Sequence, residues 1–300
     1  MNGLERQLGE RFGERLCVNW PLAPFTSFRI GGPADLLLTV ESEEELCFAK
    51  AAANRNAVPV FSLGAGTNLV VSDRGIRGLV IRLGDGFRRI EIDGCNVTAG
   101  AAADFGVLVE TVVECALAGL EFGEGIPGSV GGGLVMNAGA FGGEISPVVT
   151  RVHGVTLEGE RRALAPEEVG FAYRRTHLPA GFAITRVDLE LKPGCRESLR
   201  ARVLEVRAKR AARQPRGVPN AGSIFKNPPG KFAGRLLEDA GLKGTRAGNA
   251  AFSERHANFI VNLGGATAED VRALMETARE RVRLMSGVTL EPEVRLVGEW

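Results

Sequence analysis

A glycine-rich stretch from Gly123 to Gly143 constrains the fold of this chain more than any other segment. It holds nine glycines and one proline in 21 residues, and no charged residue lies between Gly125 and Gly143. Glycine at this density indicates backbone that adopts positive φ or lies close to another group. Flexible linkers combine glycine with polar residues, whereas most residues between these glycines are apolar. The stretch predicts a tightly turning backbone against a large flat ligand, and the alternative is a structural crossover.

Composition excludes several classes of protein. The 300 residues are 44% apolar and 24% charged, as in a soluble protein of two or three domains. A net charge of +1 gives no reason to expect nucleic acid, and Pro127 and Asn137 interrupt the glycine-rich stretch too strongly for a membrane span. Five scattered cysteines give no disulfide pattern, and with only three histidines they give no metal site either. The N-terminus has no apolar segment, so we expect no signal peptide. We expect a cytoplasmic protein without metal, nucleic acid or membrane insertion.

Local patterns place several helices and strands. Capping boxes at 42–45 and 267–270 predict helices, and the second of these ends at Gly287. Helical spacing from Phe105 to Ala116 predicts a helix that stops at Gly119. A shorter helix is expected at 232–240. Strands are expected at 36–40, 58–63, 79–83, 149–157, 183–191 and 259–262, so that the first 80 residues form a β-α-β unit.

A second small-residue turn directly follows the predicted strand 58–63 and consists of Gly64, Ala65, Gly66, Thr67 and Asn68. Backbone N–H groups in such a turn can converge on an anion. The turn lacks the lysine of a P-loop and the spacing of a Rossmann fingerprint, so a bare structural turn is the alternative. Together with the glycine-rich stretch it suggests two backbones that hold one extended cofactor, such as a dinucleotide.

Polar residues in glycine- or proline-marked segments are the candidates for chemistry. Ser223 follows Gly222 and precedes Lys226 and Asn227, so it can hold an anion or deliver a proton, or it can simply satisfy a turn. No Ser-His-Asp pattern accompanies it. Pro292 forces extended backbone, which places Glu293 and Arg295 on one face of a strand. This carboxylate and guanidinium could orient a polar substrate, and the alternative is a surface ion pair.

Two basic segments have weaker signals. The turn 171–176 contains Arg174 and Arg175 and can clamp an anion, or it can be a solvated loop. Residues 196–216 hold eight Lys or Arg against two Glu, with apolar residues on one helical face. No nucleic-acid recognition motif accompanies this stripe, so we expect a solvated or anion-facing helix side.

Eight motifs in order resemble those of the UDP-N-acetylenolpyruvoylglucosamine reductase family. They include GIPGSVGG at 125–132 and AGSIFKNP at 221–228, and the others lie at 26–35, 63–69, 136–144, 173–174, 256–262 and 290–295. The resemblance implies an α+β fold, with a two-subdomain FAD-binding fold of the vanillyl-alcohol-oxidase (PCMH) type plus a C-terminal α/β substrate domain. It places the first subdomain at 1–80 with the strand 288–300 returning to it, the second at 81–210, and the UDP-sugar domain at 211–287.

The same resemblance implies an activity. NADPH would reduce non-covalently bound FAD, and the reduced flavin would pass a hydride to the enolpyruvyl group of UDP-N-acetylglucosamine enolpyruvate, giving UDP-N-acetylmuramate for peptidoglycan synthesis. Ser223 would protonate the resulting enolate, while Arg174 and Glu293 would orient the carboxylate and stabilise the enol. We expect a monomer whose partners are the UDP-sugar and NADPH.

The family's contacts carry over residue by residue. For FAD they are Arg29, Gly64, Ala65, Gly66, Thr67, Asn68, Gly125, Pro127, Gly128, Ser129, Gly132, Asn137, Ala138, Gly139 and Gly143. For the substrate they are Tyr173, Arg213, Lys226, Asn227, His256 and Arg295. Only a short connection follows Arg174, which indicates the branch of the family without an inserted tyrosine loop. Arg175 is the alternative to Arg174, which matches better because it follows Tyr173 directly.

Two other functions fit parts of this pattern. A flavin oxidase or dehydrogenase of the same cofactor fold would act on an alcohol or hydroxy acid, and many such enzymes tether flavin through a histidine. None of His153, His177 and His256 lies in the two glycine regions. A catalytically silent flavin- or nucleotide-sugar-binding protein would lack Ser223, Arg174 or Glu293, and all three are present.

Overall fold

A computed structural model of the chain describes residues 2–300. The helices in this range differ widely in length, from one turn to five. They are α1 (Asn2–Phe12), α2 (Glu43–Arg55), α3 (Phe105–Glu114), α4 (Val130–Val135), α5 (Pro166–Val169), α6 (Arg196–Arg213), α7 (Ala233–Asp239) and α8 (Ala268–Ser286).

The strands are short and are interspersed with the helices along the whole chain. They are β1 (Leu16–Pro21), β2 (Pro33–Val40), β3 (Val60–Leu63), β4 (Leu69–Val71), β5 (Ile76–Leu83), β6 (Ile90–Asp93), β7 (Asn96–Gly100), β8 (Leu117–Ala118), β9 (Gly139–Ala140), β10 (Gly143–Glu144), β11 (Val149–Val155), β12 (Arg161–Leu164), β13 (Ala183–Glu190), β14 (Lys192–Pro193), β15 (Arg246–Ala247), β16 (Ala250–Phe252), β17 (Ile260–Asn262) and β18 (Arg295–Val297).

The first of two compact units contains the chain up to Val18 together with Leu36–Ala65 and Gly78–Lys209. It holds two separate hydrophobic cores. In one, α1 and α2 pack their apolar faces with residues of β3 and β5, which pair in parallel from Val60 opposite Leu79. In the other, α3 and α4 cover an antiparallel sheet of order β12-β11-β13-β7-β6. Leu83, at the end of β5, packs against both cores.

The second unit contains Asn19–Asp35, Gly66–Arg77 and Arg210–Trp300. Its single core lies under α7 and α8 and the three-stranded sheet β15-β16-β17. Strand β18 pairs in parallel with β4, with Arg295 opposite Leu69. The last residues of the chain thus bind backbone within the first 80 residues. The division into two FAD-binding subdomains and a substrate domain stays a prediction.

Capping chemistry explains why the predicted helices form. Ser42 Oγ accepts a hydrogen bond from the Glu45 backbone N–H at 3.3 Å and starts α2. At α8, Thr267 and Asp270 form the predicted reciprocal capping box, and Gly287 ends the helix with a left-handed φ of 69°. The structure confirms both helices and the capping box at 267–270. At 42–45 only the Ser42 cap forms, because the Glu45 carboxylate instead accepts from the Glu41 N–H and from Arg15.

Two sequence-based expectations differ from the structure. The helix α3 ends at Glu114, and the prediction that it continues to Gly119 was wrong. The helix cannot reach Gly119 because Leu117 and Ala118 form β8, which pairs with β14 and requires extended backbone. The sequence analysis also missed α1, whose Leu4, Leu8 and Phe12 are buried at helical spacing.

Candidate active site

A cavity in the first unit lies where β3 ends and α4 begins. It has a volume of about 190 Å³. Its walls are partly apolar and partly open backbone. The lining residues are Ser62, Leu63, Gly64, Ala65, Ile81, Arg82, Leu83, Arg88, Ala101, Ala102, Ser129, Gly131, Gly132, Val135, Phe182, Ala183 and Ile184. The two glycine-rich segments singled out in the sequence therefore meet at one cavity.

Small residues are needed where these two segments approach each other. A Cβ on Gly64 would lie 3.0 Å from Ser129 Oγ, and one on Gly131 would lie 2.9 Å from the Ala101 Cβ. Ser129 Oγ also accepts a hydrogen bond from the Gly132 backbone N–H at 3.3 Å, which fixes the first turn of α4. Gly64 and Gly132 leave their backbone open to the cavity, and such a cradle suits a ligand that backbone N–H groups can bind closely.

Two arginines that the sequence analysis did not single out also line this cavity. Burial lowers the pKa of Arg82, and the positive charge of Arg88 lowers it further. Arg88 has an ion pair with Asp85 at 3.2 Å on its exposed side. Because two positive charges face a common space, an anionic ligand group there would be stabilised.

The remaining part of the glycine-rich stretch has structural bonds of its own. Gly125, Pro127, Gly128, Ala138, Gly139 and Gly143 are not among the cavity's lining residues. Asn137 is 1% exposed, and its side chain donates to the Ala172 carbonyl and accepts from the Ser146 N–H, both at 3.2 Å. Asn137 therefore connects the glycine-rich stretch to the turn that carries Tyr173 and Arg174. For the residues of this stretch, the contacts with FAD stay predictions. These residues are Gly125, Pro127, Gly128, Asn137, Ala138, Gly139 and Gly143.

Arg174 lies against this same stretch. Its Nη2 donates a hydrogen bond to the Gly139 carbonyl at 2.5 Å, and its guanidinium carbon lies 5.0 Å from the centre of the Tyr173 ring. The backbone at Arg174 has a left-handed φ of 57°, which costs a non-glycine residue about 1 kcal/mol or more. Arg175 is exposed. Of the two arginines, Arg174 is the one held beside the glycine-rich backbone.

Ser223 and Glu293 are brought together in the second unit. The Glu293 N–H donates to the Ile224 carbonyl at 2.8 Å, and Phe225 forms an antiparallel bridge with Pro292. Gly222 precedes Ser223 with a φ of 74°, which sets the turn. Backbone pairing thus holds the segment that directly follows Ser223 against the backbone of Glu293.

The turn Gly66–Asn68 joins the same cluster. Asn68 Nδ2 donates to the Glu293 carbonyl at 3.1 Å, and the Arg295 N–H donates to the Asn68 carbonyl at 3.0 Å. Thr67 lies between these residues and is half-buried. Arg29, another predicted FAD contact, is exposed and has a φ of 55°.

Other predicted substrate residues have partners within the protein. Lys226 forms an ion pair with Glu291 at 2.5 Å, and Asn227 Oδ1 accepts from the Ala233 N–H at the start of α7. Burial lowers the pKa of His256, and the charges of Lys243 and Arg213 lower it further, so this ring is neutral at pH 7. Lys243 likewise forms an ion pair with Glu238 at 2.6 Å, so both lysines have carboxylate partners within the protein.

Residues 2–300 contain neither a candidate metal site nor a candidate membrane span. Within residues 2–300, no group of three or more His, Cys, Asp or Glu side chains could hold a metal ion. None of the helices in this range has the length and apolar character to cross a membrane.

Known proteins resemble both parts of the chain. Residues 34–164 match the FAD binding domain, and residues 214–297 match the UDP-N-acetylenolpyruvoylglucosamine reductase, C-terminal domain. UDP-N-acetylenolpyruvoylglucosamine reductase 2 of Symbiobacterium thermophilum is 50% identical over 93% of this chain and 91% of the relative. The reductase of Rubrobacter xylanophilus is 48% identical over 93% of this chain and 94% of that protein.

A solved structure agrees with these sequence matches. The crystal structure of UDP-N-acetylenolpyruvylglucosamine reductase from Thermus caldophilus has a TM-score of 0.81 and 40% identity, covering 94% of this chain and 97% of that chain. These matches confirm the predicted α+β FAD-binding fold with a C-terminal domain. On this evidence, the chain belongs to the UDP-N-acetylenolpyruvoylglucosamine reductase family.

Proposed function

We propose that this protein reduces the enolpyruvyl group of UDP-N-acetylglucosamine enolpyruvate to give UDP-N-acetylmuramate, with NADPH as the hydride donor, in cytoplasmic peptidoglycan synthesis. The observation that carries the proposal is the backbone bond between Glu293 and Ile224, which holds Glu293 beside Ser223. Protonation of an enolate requires a proton donor held at a fixed position, and a neighbouring residue can orient the enol. The names of the relatives support the substrate.

The cavity of the first unit would hold part of FAD. Gly64, Ala65 and Gly132 expose backbone to it, and Ser129 adds a hydroxyl. Arg82 and Arg88 supply the positive charge that the pyrophosphate needs, while the Phe182 side of the cavity offers apolar surface for a ring. When bound, FAD would supply hydride transfer from NADPH to the enolpyruvyl double bond.

The reaction needs one proton in addition to the hydride. A hydride delivered to the methylene carbon leaves negative charge on the adjacent carbon and on its carboxylate. The hydroxyl of Ser223 donates its proton to that adjacent carbon, and solvent restores the hydroxyl. A serine is a weak acid, but an enolate is basic enough to take its proton when the two are held in contact.

Charged groups stabilise the developing enolate. The guanidinium of Arg174 can pair with the substrate carboxylate through two N–H groups, and its bond to Gly139 fixes its position in the first unit. Glu293 is proposed to orient the enol. We propose Arg213, Lys226, Asn227, His256, Arg295 and Tyr173 as the groups that bind the rest of the UDP-sugar.

Anaerobic half-reactions test this function. The purified protein should be yellow, lose its flavin absorbance with NADPH, and regain it only when the enolpyruvyl UDP-sugar is added. In Ser223→Ala, bleaching by NADPH should stay within about twofold of the parent. Recolouring should slow by about 10²- to 10⁴-fold, the range for loss of a general acid. If alcohols or hydroxy acids bleached the oxidised flavin of the parent, and the UDP-sugar did not recolour the reduced protein, the result would instead indicate a flavin oxidase or dehydrogenase.

A further inference from the structure

Asn258 is a buried polar residue within the motif 256–262, and the proposed chemistry assigns it no role. It precedes β17 and is 4% exposed. Its backbone carbonyl accepts from the Ile224 N–H at 2.9 Å. Its side-chain Oδ1 accepts from the Phe225 N–H at 3.0 Å, and its Nδ2 donates to the Phe225 carbonyl at 2.8 Å. One residue thus makes three hydrogen bonds to the two residues that follow Ser223.

The carboxamide of Asn258 takes the place of a neighbouring strand. It pairs with both the N–H and the C=O of Phe225, as a peptide group does in a sheet. On the other side, the Ile224 carbonyl accepts from the Glu293 N–H and the Phe225 backbone bridges to Pro292. The short segment after Ser223 is therefore held between Asn258 and the backbone of Glu293.

Asn258 is itself held in place. Its backbone N–H donates to His256 Nδ1 at 3.1 Å. The His256 ring packs edge-on against Phe259, with the ring centres 5.0 Å apart. A neutral imidazole is required for this acceptor role, which agrees with the lowered pKa of His256. The carboxamide thus sits on a rigid support rather than on a mobile loop.

We propose that Asn258 is a positioning residue for the protonation step: through Phe225 and Ile224 it fixes Ser223 relative to Glu293. The proposal rests on the proposed function, in which Ser223 donates the proton. Loss of the carboxamide would allow this backbone to shift while the residues of the first-unit cavity stay unchanged. Flavin reduction would then be normal, and only transfer to the enolpyruvyl sugar would be slow.

Asn258→Asp is the decisive variant because it keeps the shape and the Oδ1 acceptor but, when ionised, lacks the donor to Phe225. We expect single-turnover reoxidation by the UDP-sugar to fall about 10- to 100-fold at about pH 8, as expected for a small misplacement. Reduction by NADPH and the substrate concentration for half-maximal rate should stay within about twofold. At about pH 5.5 the protonated carboxyl can donate to Phe225, and the reoxidation rate should partly recover.

Two controls separate positioning from damage. Asn258→Ala has no ionisable side chain at this position, so its reoxidation rate should fall without recovering at low pH. Dividing the pH profile of Asn258→Asp by that of Asn258→Ala removes the pH dependence that comes from His256, Lys226 and Glu293. Val271→Ala weakens the same hydrophobic core within α8 and should leave both half-reactions unchanged in the folded protein.

The outcomes distinguish this proposal from the proposed function. Three results would overturn the positioning role. Asn258→Asp could be reoxidised at the parent's rate, or both half-reactions could slow equally. Alternatively, the reoxidation rate of Asn258→Asp could fail to recover at low pH relative to that of Asn258→Ala. If the parent is not reoxidised by the UDP-sugar, or if Ser223→Ala reoxidises normally, the proposed function itself fails.

Discussion

Lys50 is a charged residue inside the first unit, and its burial has a measurable cost. Its side chain is fully buried in the apolar face of α2. Its Nζ donates one hydrogen bond to the Gly181 carbonyl at 2.5 Å. Gly181 is exposed and directly precedes Phe182 of the cavity wall. Replacement by methionine would keep the length and flexibility of the side chain and remove the buried charge.

The magnitude follows from the pKa of Lys50, which burial lowers from 10.5 to about 8, although Glu158 and Cys47 act in the opposite direction. At about 1.36 kcal/mol per unit, the charged form costs the folded state about 3 kcal/mol. Below about pH 8 both states bind the proton, and the whole cost applies. From about pH 8 to 10.5 the unfolded state binds more protons than the folded state, so stability rises, and about 2 kcal/mol is recovered by about pH 9.5.

Urea unfolding of Lys50→Met and its parent, with FAD in excess, tests this magnitude. Methionine also loses the hydrogen bond to Gly181, which costs about 1 kcal/mol. We therefore expect Lys50→Met to be more stable by about 2 kcal/mol at about pH 7, and we expect this difference to vanish near pH 9.5. A shared Cys47→Ala background removes the neighbouring thiol, whose pKa burial raises. Lys209→Met, on the exposed side of α6, reports the effect of losing a surface charge. A stability difference that is the same at both pH values would refute the reasoning.

Two further substitutions test the cavity and the glycine turns. Arg82→Ala should weaken FAD binding to the apo-protein by about 10- to 100-fold. It should leave riboflavin binding unchanged, because only FAD has phosphates. Fluorescence titration measures both affinities, and Arg89→Ala, at an exposed position, is the control. Gly66→Ala places a Cβ 2.1 Å from the Phe25 carbonyl oxygen at a φ of 65° and should lower the free energy of unfolding by more than about 2 kcal/mol. Gly94→Ala has a similar φ of 60° and no atom within 4 Å, so it should cost only about 1 kcal/mol in the same urea titration.

Elements governed by local chemistry could be predicted from the sequence. The capping boxes before α2 and α8 depend on residues three apart, so their sequence pattern is sufficient. The glycine turns follow the same logic, since positive φ and close approach both select glycine. Family motifs added Ser223 and Glu293, and backbone pairing between their two segments is visible only in the structure.

Features that depend on distant parts of the chain could not be predicted. Arg82 lies in a strand that the sequence marks as apolar, and only the folded unit shows that the strand borders a cavity. Lys50 follows Ala49 on a helix face that is otherwise apolar, and its carbonyl partner is 131 residues away. Asn258 bonds to Phe225 across 33 residues. No local pattern distinguishes any of these side chains from exposed ones of the same type.

The surroundings of Ser223 indicate that geometry rather than acidity supports the proposed proton transfer. A serine hydroxyl is a weak acid, so it can protonate an enolate rapidly only when the distance is short and fixed. The structure provides such fixation through the left-handed turn at Gly222, the pairing of Ile224 with Glu293, and the carboxamide of Asn258 on Phe225. All three act on backbone, and none requires a second ionisable group in contact with the hydroxyl. Substitutions that loosen this backbone should therefore slow protonation even when Ser223 itself is intact.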